Sequence, residues 1–302
     1  MGNTVVAEPP FVIVAQKGDF FARIDNLDLA VPMSDETFER LEHAFDKFGV
    51  LHFPGQKLTQ EQQVAFSRRL GPLEIVNLGA ALDGGRNTLP EINRVSNLGL
   101  DNRIRPANDL RRMHSMANRL WHTDSSYKHI PSKCSLLYAH IVPDQGGNTE
   151  YADMRAAYDA LSASMKKQIE GLQVVHSIFA SRRKIGFTEF SDEVRAAHPP
   201  VRQLLVRTHA GSGRKSLYLA SHADTIVGWP EDEGRELLEE LTRHATHERF
   251  VYSHAWRTGD LVMWDNRCTM HRATPYEDMH APRDLHRTTV MDSGNTVEMA
   301  RQ

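Results

Sequence analysis

Phe250-Val251-Tyr252-Ser253-His254-Ala255-Trp256, then Thr258-Gly259-Asp260, then Leu261-Val262-Met263-Trp264 read as strand, tight turn, strand. β-Branched and aromatic residues crowd the two runs, and the Gly-Asp turn between them leaves no room for a crossover helix. Thr269 to Arg272 and His286 to Met291 continue the pattern. Short strands joined by tight turns favour a barrel or sandwich over alternating βαβ units. Upstream, Cys134 to Val142 and Asn148 to Ala152 flank Pro143-Asp144-Gln145-Gly146-Gly147, and Gln203 to His209 and Ser216 to Ser221 flank Gly211-Ser212-Gly213. Phe11 to Ala15 and Val50 to Phe53 are further strand candidates.

Helices fit between these runs. One follows Ser34, carries Phe38, Leu41, Phe45 and Phe48 on one face, and stops at Gly49. A second starts at Thr59, where Thr59 and Gln62 make a capping box, and closes near Gly71. A third is capped by Asp153 and buries Tyr158, Leu161, Met165 and Ile169. A fourth, Glu231 to His244, follows Pro230 and opens with acidic residues. The expected fold is mainly β with flanking helices, one domain over residues 1–302. From 76 to 117 apolar periodicity fails, and so long a patternless stretch in a compact domain points to a mobile lid over a site.

The chain of 302 residues is 40% hydrophobic and 25% charged, within the range of globular proteins. Lys and Arg number 36 against 39 Asp and Glu, so no global field draws the chain to nucleic acid or anionic lipid. The two cysteines, Cys134 and Cys268, lack metal or redox spacing and read as buried thiols. No apolar run is long enough to span a membrane, and the N-terminal residues do not form a signal peptide, so a cytoplasmic protein is expected. Oligomeric state is open, a homo-oligomer included.

Sixteen histidines are scattered along the chain, so position decides which carry chemistry. Trp121-His122-Thr123-Asp124-Ser125-Ser126 places a histidine and a carboxylate two apart, on the same face of an extended segment. Alone, that spacing is common in a histidine-rich chain. With His271, inside Trp264-Asp265-Asn266-Arg267-Cys268-Thr269-Met270-His271-Arg272, it becomes the ligand set of a two-histidine, one-carboxylate facial triad. Such a triad leaves metal positions open, which on ferrous iron means oxygen chemistry. Arg283 and Arg287 follow at four-residue spacing, fixed cations suited to a carboxylate-bearing cosubstrate.

The chain resembles the taurine dioxygenase and 2,4-dichlorophenoxyacetate dioxygenase family of Fe(II)- and 2-oxoglutarate-dependent oxygenases. The resemblance runs from Phe53-Pro54-Gly55-Gln56 through Gly147-Asn148-Thr149-Glu150, Asp153-Met154-Arg155-Ala156-Ala157-Tyr158, Val206-Arg207-Thr208-His209-Ala210-Gly211 and Gly259-Asp260-Leu261-Val262-Met263-Trp264. It is stronger toward the dichlorophenoxyacetate branch. It implies a distorted double-stranded β-helix, or jelly-roll barrel, with His122, Asp124 and His271 as iron ligands. It further implies that Thr149 and Arg283 hold the distal carboxylate of 2-oxoglutarate; Pro282, next to Arg283, has no group to do so.

The implied reaction consumes dioxygen and 2-oxoglutarate, releases succinate and CO2, and hydroxylates a C–H bond of a small carboxylic acid. For an aryloxyalkanoate the carbon next to the ether oxygen is attacked, and with an aryloxyacetate the product collapses to a phenol and glyoxylate. Arg287, Asn118 and His209 are the candidates for the substrate carboxylate; their bland alternatives are a surface ion pair, a turn amide and a hairpin-face histidine. His176, His222, His254 and His286 read as structural or surface residues. The segment Ile75 to Leu82, which by position should line the substrate entrance, lacks the lysine that the resemblance to herbicide-degrading members implies, against a strict dichlorophenoxyacetate preference. Competing readings are the same oxygenase acting on a sulfonate or other aromatic acid, a zinc hydrolase, and a non-enzymatic barrel binding a small acid or metal. The hydrolase lacks a His-Glu-x-x-His helix and leaves the arginine pair without a purpose.

Overall fold

The computed structural model describes residues 10–75, 89–99 and 101–301. Its main sheet has the order β1-β2-β3-β13-β5-β15-β4: Val12–Lys17, Phe21–Asp25, Val50–Phe53, Leu261–Asp265, Ser132–Ile141, Asp284–Met291 and Asn93–Ser96. A smaller sheet has the order β12-β6-β14: Val251–His254, Thr149–Asp153 and Thr269–Ala273. Two lesser sheets complete it, β11-β7-β8 (Ala223–Ile226, Gln173–His176, Val201–Leu204) and β10-β9 (Lys215–Leu217, Val206–Thr208). The expected jelly-roll is present as facing sheets with flanking helices; among the described residues the strands do not close into one continuous barrel.

Strand alternation explains how the layers stack. On β13, Leu261 and Met263 join the cluster built with Phe38, Leu41, Phe45, Phe48 and Phe66 of the helices Asp35–Phe48 and Gln60–Arg68. Val262 and Trp264 point the other way, into a cluster with Tyr151 of β6, Leu137, Leu285 and Trp256. The same alternation on β14 sends Met270 toward the helix Glu231–Ala245 and leaves His271 to the space between the sheets. His271 thus sits between two packed strata.

Several expectations hold at residue level. Ser34 accepts from Thr37 N, Gly49 ends the first helix at φ 75°, and the Thr59–Gln62 capping box is formed in both directions. The helix expected after Asp153 is broken instead: Met154–Asp159 and Ala163–Ile169 are separate, because Ser162 is extended and its Oγ starts a new helix by accepting from Met165 N at 3.2 Å. The patternless 76–117 stretch contains β4, an edge strand paired with β15; residues 76–88 and 100 lie outside the described residues, and with them most of the segment Ile75 to Leu82. Cys134 and Cys268 are free and buried. No helix among the described residues is long and apolar enough to cross a membrane.

Candidate active site

His122 belongs to no regular strand. It makes one antiparallel bridge with His271 on β14, each N–H donating to the other's carbonyl at 3.0 and 2.8 Å. This reciprocal pair sets the imidazoles side by side, ring centroids 4.1 Å apart. The chain turns immediately afterwards, with Ser125 at φ 53°, a conformation that is uncommon for a residue with a side chain. Asp124 then lies with Oδ1 3.9 Å from His122 Nε2 and Oδ2 3.7 Å from His271 Nε2. Convergence therefore comes from a bridge and a turn, where the i, i+2 spacing suggested a strand pleat. Thr123 points away as expected, donating to Leu219 O at 2.8 Å.

Hydrogen bonds fix the orientation of His122 and Asp124, while His271 Nδ1 has no partner among the described residues and its ring is held by packing against Trp264 and Tyr151. His122 Nδ1 lies 2.8 Å from Leu120 O; a carbonyl only accepts, so Nδ1 carries the proton and Nε2 offers a lone pair. Ser135 on β5 donates to Asp124 Oδ2 at 2.7 Å, and Asn266 Nδ2 donates to Ser135 Oγ at 3.0 Å. Asn266 Oδ1 in turn accepts from Asp124 N at 3.2 Å and from Trp264 Nε1 at 3.1 Å, so every group in this network has one consistent role. Arg287 Nη1 donates to Asp124 Oδ1.

Burial works against charge on Asp124, but Arg287, then His271 and His122, and the Ser135 hydrogen bond outweigh it and hold the carboxyl well below the usual carboxylate range. Burial pushes His122 down and His271 far down, more strongly than the Asp124 charge pulls them up. The outcome at neutral pH is two neutral imidazoles and one carboxylate with donor atoms within 4.8 Å of one another. That is a set deprotonated for a divalent cation. Ser135→Ala should weaken metal binding by about 10–100-fold, as loss of such supporting hydrogen bonds does elsewhere; a metal titration checks this, and unchanged affinity would mean Arg287 alone holds Asp124.

A narrow cleft, open at its mouth, adjoins these residues and is lined by Val95, Leu137, Thr149, Trp264, Arg283, Arg287 and Asn118. Arg283 is buried, yet among the described residues its guanidinium makes only one hydrogen bond, Nη2 to Gly147 O at 3.3 Å, and Nε has none. No carboxylate among the described residues pairs with it. An isolated buried cation is costly, and burial accordingly lowers its pKa. The arginine is thus a buried cation on the cavity wall. Thr149 lies on the same wall, its Oγ1 accepting from Trp256 Nε1 at 2.9 Å, which leaves its own hydroxyl proton to donate.

The structure brings together His122, Asp124, His271, Thr149, Arg283, Arg287 and Asn118 at this cavity. His209 is the exception and is corrected. It is fully buried, with Nε2 2.9 Å from Asp265 Oδ2 and Nδ1 2.8 Å from Ser212 Oγ, so both ring nitrogens are used internally and none reaches the cavity. Arg287 is committed on one side to Asp124, while its Nε has no hydrogen-bond partner. Ser135 and Asn266 escaped sequence reasoning, since nothing in their local spacing marks them. His222, read as structural, stacks edge-on to His122 at 6.4 Å and shares Ser126 Oγ with His176.

Residues 14–289 match the model of the family described as taurine catabolism dioxygenase TauD, TfdA family. The chain is 44% identical over 273 residues to the alpha-ketoglutarate-dependent 2,4-dichlorophenoxyacetate dioxygenase of Cupriavidus pinatubonensis, covering 90% of this chain and 95% of that one. It is 36% identical to the (S)-phenoxypropionate/alpha-ketoglutarate-dioxygenase of Sphingobium herbicidovorans, covering 89% and 91%. Among solved structures, AAD-2 in complex with Mn(II) and N-oxalylglycine superposes with a TM-score of 0.87 at 44% identity, covering 94% of this chain and all of that one. Matching over nearly its whole length, with a cavity whose histidines, carboxylate and buried arginine suit such an enzyme, the chain belongs to the TauD, TfdA family of dioxygenases.

Proposed function

We propose that this chain is an Fe(II)- and 2-oxoglutarate-dependent dioxygenase that hydroxylates an aryloxyalkanoate-type acid next to its ether oxygen. One oxygen atom enters succinate as 2-oxoglutarate loses CO2, and the other enters the C–H bond; the resulting hemiacetal or hemiketal breaks to a phenol and a 2-oxo acid, glyoxylate where the substrate is an aryloxyacetate. The observation that carries the reading is Arg283, a buried guanidinium without a counter-ion on the cavity that also holds the His122, Asp124 and His271 donors. Relatives that act on 2,4-dichlorophenoxyacetate and (S)-phenoxypropionate support the substrate class.

Iron held by His122, Asp124 and His271 would supply dioxygen activation coupled to decarboxylation of the keto acid. The chain's own groups do the positioning. Arg283 and Thr149 take the distal carboxylate of 2-oxoglutarate, fixing its far end. Leu137, Val95 and Trp264 line the cavity with apolar surface that excludes bulk water. Asn118 and the unpaired Nε of Arg287 take the substrate carboxylate.

A succinate-release screen over aryloxyacetates, aryloxypropionates, cinnamates and taurine tests this. Aryloxy acids should each yield phenol and succinate in equal amounts. Faster turnover of taurine or cinnamates would move the substrate class to sulfonates or other aromatic acids, and a metal-loaded protein with no substrate-dependent succinate would be a binding barrel.

A further inference from the structure

His52 on β3, His254 at the end of β12 and Asp260 at the turn into β13 come together although they share no residue with the cavity described above. Asp260 stands between the rings, Oδ1 3.1 Å from His52 Nε2 and Oδ2 3.3 Å from His254 Nε2. The ring centroids are 4.5 Å apart. Asp260 is itself locked, accepting from Arg257 N at 2.9 Å, while Gly259 at φ 88° passes too close to Gln56 O for any side chain.

We propose that His52, His254 and Asp260 form a second divalent-cation site, of the zinc class, that clamps the main sheet to the smaller sheet.

Short distances alone would describe ordinary histidine–aspartate pairs. Those pairs form proper hydrogen bonds, as His209 does with Asp265 at 2.9 Å. Here the geometry is poorer: the carboxylate oxygens lie off the ring N–H directions, so the buried His52 Nε2 and His254 Nε2 keep an electrostatic contact with Asp260 without a well-aligned hydrogen bond. The His254 side chain is only 5% exposed, so water does not compensate it. A buried nitrogen of this kind is costly unless its lone pair meets a hydrogen-bond donor or a Lewis acid. A metal ion is such an acid. Tetrahedral bonds of about 2.0 Å place neighbouring donor atoms about 3.3 Å apart, the spacing that the carboxylate oxygens keep from the two nitrogens.

The surroundings permit a cation. The three donors border a depression open to solvent, from which water could complete the coordination. Arg23, also on its wall, is neutralised by Asp25 at 2.8 Å. Strand register adds a structural reason: His52 pairs with Val262 in the main sheet, and His254 pairs with Thr149 in the smaller one. One ion would tie both sheets behind Thr149. His254 also packs edge-on against Trp256, the residue that hydrogen-bonds Thr149.

The test is a titration of chelator-treated full-length protein with Zn(II) alone, read by equilibrium dialysis and elemental analysis. Because zinc also suits the His122, Asp124 and His271 donors, the wild type should retain about two equivalents, and His52→Gln or His122→Gln about one each. Asp260→Asn should also lose the second equivalent. One equivalent in the wild type, or two in both His52→Gln and Asp260→Asn, overturns the proposal. Should the variants fail to fold, anomalous scattering at the zinc edge from wild-type crystals decides: a peak between His52 and His254 supports the site, and density only at His122 and His271 refutes it.

Discussion

Asp124→Asn should lower kcat/KM by at least about a thousandfold, roughly 4 kcal/mol at 1.36 kcal/mol per decade. Asparagine preserves shape but presents no negative charge between two neutral imidazoles. It also leaves Arg287 facing a group with no charge to offer and gives Ser135 an amide in place of a carboxylate oxygen. Both losses fall on the same atom cluster, so metal affinity and turnover should drop together. Metal titration and steady-state succinate formation check this. A variant that keeps more than a tenth of wild-type turnover would remove Asp124 from the ligand set.

Arg283→Met should separate two quantities that usually move together. Methionine keeps an unbranched apolar stem but removes the guanidinium. Removing one side of a buried charge pair costs about 2–5 kcal/mol of binding, so the KM for 2-oxoglutarate should rise by about 30-fold to several thousandfold. Metal affinity should not change, since Arg283 makes no contact with His122, Asp124 or His271. The cosubstrate-free protein should melt no lower than wild type, because it no longer carries an uncompensated buried cation. Lysine at the same position should restore only part of the affinity, as it lacks the planar fork. An unchanged KM would place the cosubstrate carboxylate elsewhere.

Features with a local physical cause were legible in the sequence. Phe38, Leu41, Phe45 and Phe48 declare a helix by spacing, and Ser34 and Gly49 declare its ends by chemistry, with no need of the remaining chain. Tertiary causes were not legible. β2, Phe-Ala-Arg-Ile-Asp, has too little alternation to stand out and is defined by its place between β1, antiparallel to it, and β3, parallel to it. β4, Asn-Arg-Val-Ser, is hidden by its polarity, which is affordable only at a sheet edge. The break at Ser162 was masked because Tyr158 and Ile169 bury into one cluster from two helices.

The candidate site divides in the same way. His122, Asp124 and His271 are residue types with few other reasons to converge, so a ligand set could be read from them. His209 looked equivalent on chemistry alone, and only its contacts with Asp265 and Ser212 withdraw it. Ser135 and Asn266 are the reverse case. Neither residue type signals function, yet together they fix which oxygen of Asp124 faces which neighbour.

The backbone bridge between His122 and His271 also governs when the site comes into being. Its two halves are drawn from the middle and the end of the chain, so no short-range folding event can create it. During synthesis, the segment with His122 and Asp124 emerges long before β14 does. A growing polypeptide therefore offers an incoming ion one imidazole and one carboxylate, a weak pair. Tight capture waits for the last strands to dock, and an oxidant-generating metal is thereby kept from a chain that has not yet built the walls to contain it.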